Sequence, residues 1–599
     1  MVVLPVASRP MPVQAVLNRA ALLAWCAVAV LPFISRLHYV PLPQWWGEAT
    51  VVWLAVLAWL CAPRASAVSW PRAAWWMLAL AAFWAAQPLW LPLDFPGMNW
   101  ATALGFLSLA LLAGVTAGLS ERWGEEYLVR SLAWALLTGA VLQSAIGFCQ
   151  VTGLAEVMGG VLFYDRAHPT TNVFGHIGQR NQYAHYLTWG CAALAYLFAQ
   201  RAVSRRVFVF LLLWLALSIA WASSRTVLIY AVALVAIAGV WHWRVRGEES
   251  KRLFAAFAVA AAAIVAMQFV LPLVNALVAH FTHSAMTVES GIERLAASGD
   301  GMGARRITEW HKAWLVFGDA PLTGAGWSQF AAESVRLQML PMFRDAGFNS
   351  GLFSNAHNLE MQLLAEMGWP GALLAIGGFA WAVWPYFGRA ARAAQVLPLS
   401  VMAATLIHSQ LEYPLWYLYF LAVLVMMMAL APAAPRRSLF AGSANLVLAV
   451  ALGVVSLMAI PRYWEMVSLY SPTGQGARDE ARVARLAEIV RTEPLFAFHA
   501  LNTLDNYLTV DKRNLDAKRR WIAQLSAFRP YPDVLFKEAR LAALAGDETS
   551  AERSMARALG SFPTYAPQFL DDLPEDDPAY AGLRRQAEEA IAKLPERYR

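Results

Sequence analysis

Charge is what this chain has least of. Asp, Glu, Lys and Arg supply 15% of its 599 residues against 59% hydrophobic ones. A water-soluble protein of this length carries far more, so the composition excludes a soluble enzyme and indicates a polytopic membrane protein. Cysteine is scarce too. Cys26, Cys61, Cys149 and Cys191 all lie in apolar runs and read as small core residues rather than a disulfide framework. There is no Walker A loop and no dinucleotide fingerprint, so no cofactor is expected and the energy for any reaction must arrive with the substrate. The membrane region has few Asp and no Asp-x-Asp pair, and His168, His176 and His185 lack zinc-ligand spacing, which argues against a metal site. The net charge of +7 is scattered over loops and does not point to nucleic acid. The first twenty residues lack a signal-peptide cleavage pattern and lead straight into an apolar run.

What the chain does have is apolar length. Thirteen apolar segments, the first at about 20–35 and the last at about 439–460, approach the length needed to cross roughly 30 Å of hydrocarbon, so an all-α protein of about 12–13 transmembrane helices is expected. Cations mark alternate loops: Arg64 and Arg72, Arg122, Arg201 with Arg205 and Arg206, Arg244 through Arg252, Arg389 and Arg392, Arg436 and Arg437. By the positive-inside rule these loops and the N-terminus are cytoplasmic. The opposite face then collects residues 36–48, 91–100, 151–182, 223–225, 275–369, 412–414 and the tail. The chain divides into an N-terminal transmembrane bundle (1–274), a large outer loop (275–369), C-terminal transmembrane helices (370–460) and an outer α-helical domain (461–599). Within that domain, 539–563 resembles one helix-turn-helix unit of tetratricopeptide type. The domain either selects a protein partner or covers the active face.

Nearly all residues able to do chemistry fall on the outer face. Leu359, Leu363 and Met367 recur at helical spacing; Ser354 or Asn355 can cap this helix, and Gly368 with Pro370 can stop it. His357 then lies in the first turn, where the helix dipole disfavours imidazolium and leaves a neutral general base; the alternative is a His that only helps to cap. Arg225, in a hairpin between two spans, can clamp a phosphate or snorkel to lipid headgroups. Arg180, flanked by Gln179 and Asn181, suits phosphate or sugar hydroxyls, or a helix-capping cluster. Arg305 and Arg306 add positive charge above the membrane or simply start a solvated helix. His408, Gln410 and Glu412 interrupt an apolar run at spacing two, and Tyr413 and Tyr417 beside them also fit an interfacial aromatic belt. Arg for phosphate and His for deprotonation suit transfer of a sugar from a lipid diphosphate to a hydroxyl.

The pattern of His, then Asn/Ser/Gln, nine residues, Gly, two residues, and Gly/Thr/Tyr is met by His357-Asn358, Gly368 and Gly371. It resembles the bacterial O-antigen ligases, O-antigen polymerases and protein O-oligosaccharyltransferases. Gly178-Gln179-Arg180-Asn181-Gln182, the Leu411–Tyr417 run and the helical tail are most similar to the pilin-glycosylation branch. One element departs: the ligases' Arg-x-x-x-Leu reads Arg225-Thr-Val-Leu-Ile229 here. The resemblance implies a GT-C-like glycosyltransferase of the bacterial inner membrane, with its site and C-terminal domain in the periplasm. It implies an undecaprenyl-diphosphate-linked oligosaccharide donor, membrane lipid around it, and no metal. It further implies that His357 is the essential base and that Gln179 and Tyr413 or Tyr417 are also needed; Asn358 and Glu412 are expected to contact substrate. The acceptor is expected to be a Ser or Thr hydroxyl of a periplasmic protein or pilin. An O-antigen ligase acting on lipid A–core is the second reading, and a polymerase or lipid-linked-glycan transporter the third. Transport is disfavoured by the lack of paired broken helices, an inverted repeat or mid-membrane acidic residues.

Overall fold

The computed structural model describes residues 13–62, 68–282, 288–296, 302–343, 351–388, 391–432 and 437–598. Arg64, Arg389 and Arg436, three of the cations used to orient the loops, lie outside the described residues. Among those described, the fold is helical, with one short antiparallel pair, Val68–Ser69 with Arg437–Ser438. Six helices among the described residues are long and apolar enough to cross a membrane: Gly97–Trp123, Glu125–Val151, Val227–Val245, Glu248–Leu277, Leu359–Phe387 and Gly442–Leu469. Shorter apolar helices, Trp45–Cys61, Ala393–Ser409 and Leu418–Ala429, pack among them. The thirteen expected segments are thus of unequal length, and six meet the spanning criteria.

The helix Arg180–Ala199 is the axis of the bundle. Every residue from Gln182 to Leu197 is buried, which lets it carry His185, Thr188 and three tyrosines without exposing them to lipid. Small residues set its spacing. A methyl group at Gly139 or Gly147 would lie about 2 Å from the Tyr186 or Tyr183 hydroxyl oxygen, so these glycines let the Glu125–Val151 helix approach closely.

The helix Leu359–Val383 departs from expectation. Gly368 and Pro370 do not stop it; they bend it, with Gly368 at φ 63° and ψ −170°. Pro370 has no N–H to give the Glu366 carbonyl, and the 321–327 loop answers in its place. Gly326 N–H donates to Glu366 O at 3.0 Å, Ala325 N–H to Ala365 O at 2.8 Å, and Trp369 N–H to Pro321 O at 2.8 Å. The Gln87 amide adds a bond to Glu366 O at 2.9 Å. The expected outer loop is itself largely helical, with Met302–Asp319 and Phe330–Gln338 packed on this bend.

The tail forms antiparallel helix pairs, among them Pro532–Leu544 with Glu548–Ser561, turned by Gly546 at φ 73° and capped by Asp547. It is continuous with the bundle, because Leu439–Leu469 runs through the expected boundary at 460. The tail sits against the start of Gly97–Trp123: a Cβ at Gly97 would fall 1.8 Å from Pro494 O. Phe95 packs on Phe498 and Phe528 beside it.

Candidate active site

Four segments far apart in sequence meet at Glu412. Its Oε1 accepts from Arg306 Nη2 at 2.5 Å and from Asn181 Nδ2 at 3.0 Å, while Oε2 lies 3.8 Å from His357 Nε2. The side chains of His357 and Glu412 are only 16% and 11% exposed. The carboxylate therefore joins the starts of three helices to the turn after Val396–Ser409.

His357 is not in the first turn of its helix. Asn358, rather than Ser354 or Asn355, is the N-cap, its side chain accepting from Met361 N–H at 3.0 Å, so His357 stands one residue outside, at φ 55°. That conformation is costly for a non-glycine residue unless its surroundings hold it. They do: Ala356 N–H donates to Gln362 Oε1 at 2.6 Å and Asn358 Nδ2 to Gln410 Oε1 at 3.1 Å. His357 Nδ1 lies 2.9 Å from the Asn355 carbonyl oxygen. A carbonyl only accepts, so Nδ1 carries the proton and Nε2 of the neutral ring presents its lone pair on the Glu412 side. The surroundings of the ring also favour its neutral form. Burial holds its pKa below the ordinary value; the Glu412 charge pulls it up in part, and Arg306 pushes it down. The Tyr413 ring stands edge-on to the imidazole at 5.1 Å, and Tyr417 stacks on Tyr413 at 6.2 Å.

The remaining sequence candidates separate into three groups. Gln179 caps Arg180–Ala199, accepting from Gln182 N–H at 2.6 Å. Arg180 lies within electrostatic reach of Arg294, a residue that sequence reasoning missed. Arg294 donates through Nη1 to Ser223 O at 3.0 Å, in the turn that carries half-buried Arg225. Arg305 turns away from Glu412. It pairs with Glu309 at 2.6 Å, bonds Gln338 at 3.0 Å, and lies over the Phe353 ring. Glu309 also serves Lys312 at 3.1 Å and Ser334 at 2.6 Å, a buried network that braces the helix presenting Arg306. Of the three polar residues at spacing two, Gln410 joins Asn358, Glu412 forms the hub, and His408 turns inward against His185.

Three stretches of the chain match known families: residues 208–376 match the O-antigen ligase family, 396–572 the C-terminal part of virulence factor membrane-bound polymerases, and 173–198 the protein glycosylation ligases. Among curated proteins, the chain is similar to a general O-oligosaccharyltransferase of Acinetobacter baylyi (strain ATCC 33305 / BD413 / ADP1), 23% identical over 369 residues. That match spans 61% of this chain and 61% of the relative's length. The residues around Glu412 are distributed over the three stretches, Asn181 in 173–198, Arg306 and His357 in 208–376 and Glu412 in 396–572, and the resemblance to protein O-oligosaccharyltransferases of the O-antigen ligase superfamily holds.

Proposed function

We propose that this membrane protein transfers a preassembled oligosaccharide from undecaprenyl diphosphate to Ser or Thr hydroxyls of periplasmic proteins or pilin, with His357 as general base. The observation that carries this reading is the Nδ1–H···O bond to Asn355, which in the neutral ring makes Nε2 the basic nitrogen, beside a carboxylate. The acceptor oxygen attacks the anomeric carbon as its proton passes to Nε2. The bond from that carbon to the diphosphate oxygen breaks, and the lipid diphosphate leaves with the electron pair. Direct displacement inverts the anomeric centre. Glu412 stabilises the imidazolium that forms. Arg180, Arg294, Arg225 and Arg306 are the cations suited to the diphosphate. Tyr413 and Asn181 border the reacting groups, and Gln179 orders the helix start that carries Arg180.

The test gives purified protein a lipid-diphosphate glycan and, in parallel, a pilin-like protein and a lipid A–core acceptor, with each acceptor read by mass shift. Glycan on the protein, lost in His357→Ala, is the expected result. Glycan on lipid A–core alone would favour the ligase reading, which the match over 208–376 supports. Transfer to neither acceptor would overturn both.

A further inference from the structure

Beside the His357 site lies a cavity of about 820 Å³ that the chemistry above does not use. It is at the upper end of ordinary ligand pockets, which run to about 1,000 Å³. Both halves of the bent helix contribute to one wall, Leu359 and Leu363 before the bend and Ala375, Ile376 and Phe379 after it. The other walls are mainly aliphatic and aromatic, including Trp76, Leu80, Leu424 and Leu452. Among the described residues, no Arg or Lys lines it; its charged side chains are two carboxylates, Glu48 and Glu360.

These features restrict the occupant. Carboxylates without a cation repel phosphate, so the diphosphate belongs outside, with the arginines. A peptide would leave its backbone N–H and C=O groups unpaired along such walls. A hydrocarbon chain meets neither objection. The cavity also reaches the site: Gln410, in its wall, bonds both Asn358 at 3.1 Å and Glu360 at 3.0 Å, one residue from His357. The tail domain closes the top through Leu495, Phe496 and His499 of the helix Pro494–Leu504.

We propose that this cavity holds part of the polyisoprenyl chain of the lipid-linked donor, with the C-terminal domain as its roof. The proposal rests on the reading of the donor given above. A glycan-free polyprenyl diphosphate carrying a diazirine near the middle of its chain is photolysed on the wild-type protein. Crosslinks to Leu80, Phe379, Leu424 or Leu452 are expected; crosslinks confined to lipid-facing positions such as Leu373 would overturn the proposal. Ala375→Trp, which fills the cavity, should weaken binding of the same lipid at least tenfold while leaving binding of inorganic diphosphate within twofold. Unchanged lipid affinity would overturn the proposal, as would displacement by phosphatidylglycerol at equal concentration, which would make the cavity a site for bulk lipid. Because these are binding readouts, they separate the two readings. Tail crosslinks without glycan transfer to any acceptor would keep the cavity assignment and sink the transfer reaction.

Discussion

Replacing Glu412 with Gln tests the site's electrostatics with little change of shape. The amide oxygen can still accept from Arg306 and Asn181, whose bonds to Oε1 are 2.5 and 3.0 Å; what disappears is the negative charge 3.8 Å from His357 Nε2. At that distance a unit pair interacts by about 4 kcal/mol at an effective dielectric of 20, and by about 2 kcal/mol at twice that. The lower figure suits a site that keeps some solvent. Imidazolium forms only as the proton moves, so the loss falls on the transition state, and kcat should drop about 30-fold with donor KM little changed. The pH profile carries the sign. Burial already holds the His357 pKa down, and Glu412 is the main group pulling it up, so its removal must move the acid limb of kcat to lower pH. Arg306, no longer neutralised, pushes the same way. The assay is steady-state transfer across pH 4.5–8 (roughly, to bracket the ordinary His range), with thermal unfolding as a check on folding. A kcat within twofold of wild type, or an acid limb that moves upward, would refute the assignment of Glu412 as the imidazolium's partner.

Three further outcomes are expected. Gly368→Ala places a side chain at φ 63° and a Cβ 2.8 Å from the Leu322 carbonyl; it should cost about 1–3 kcal/mol for the backbone alone, read as a lower unfolding temperature in detergent. Glu309→Gln leaves Arg305 and Lys312 buried without their counter-charge and should destabilise by about 3–5 kcal/mol, a loss that denaturant melts of wild type and variant would detect. Arg294→Ala should raise the donor KM about tenfold at nearly constant kcat if Arg294 binds diphosphate in the ground state; an unchanged KM removes it from the site.

The helical membrane bundle was legible because long apolar runs report burial directly, and His357 stood out because a helix pattern emerging from a polar stretch is a local signal. Glu412 was visible as a residue, though only as a substrate contact. Its role as the hub joining Asn181, Arg306 and His357 depends on tertiary packing, which no spacing encodes. Arg294 follows a glutamate at the start of a six-residue helix and looked like any solvated charge. Arg305 and Arg306 were indistinguishable in sequence; one helical position, about 100°, sends the first to Glu309 and the second to Glu412. Gly368 with Pro370 reads as a stop because intrahelical bonds fail there, and only the 321–327 loop shows how the failure is made good.

The long helix Leu439–Leu469, which carries Pro461 inside it, has one more consequence. Its 31 residues rise about 46 Å, some 16 Å more than a bilayer's hydrocarbon needs, so the tail domain rides on a shaft keyed to the bundle. Inserting one residue near its outer end would advance the domain by about 1.5 Å and turn it by about 100°, swinging Pro494 off Gly97. Inserting seven would nearly restore the azimuth but raise the domain by about 10 Å. The seat at Gly97 thus tolerates neither, and the length of this helix is fixed by angular phase as much as by membrane thickness.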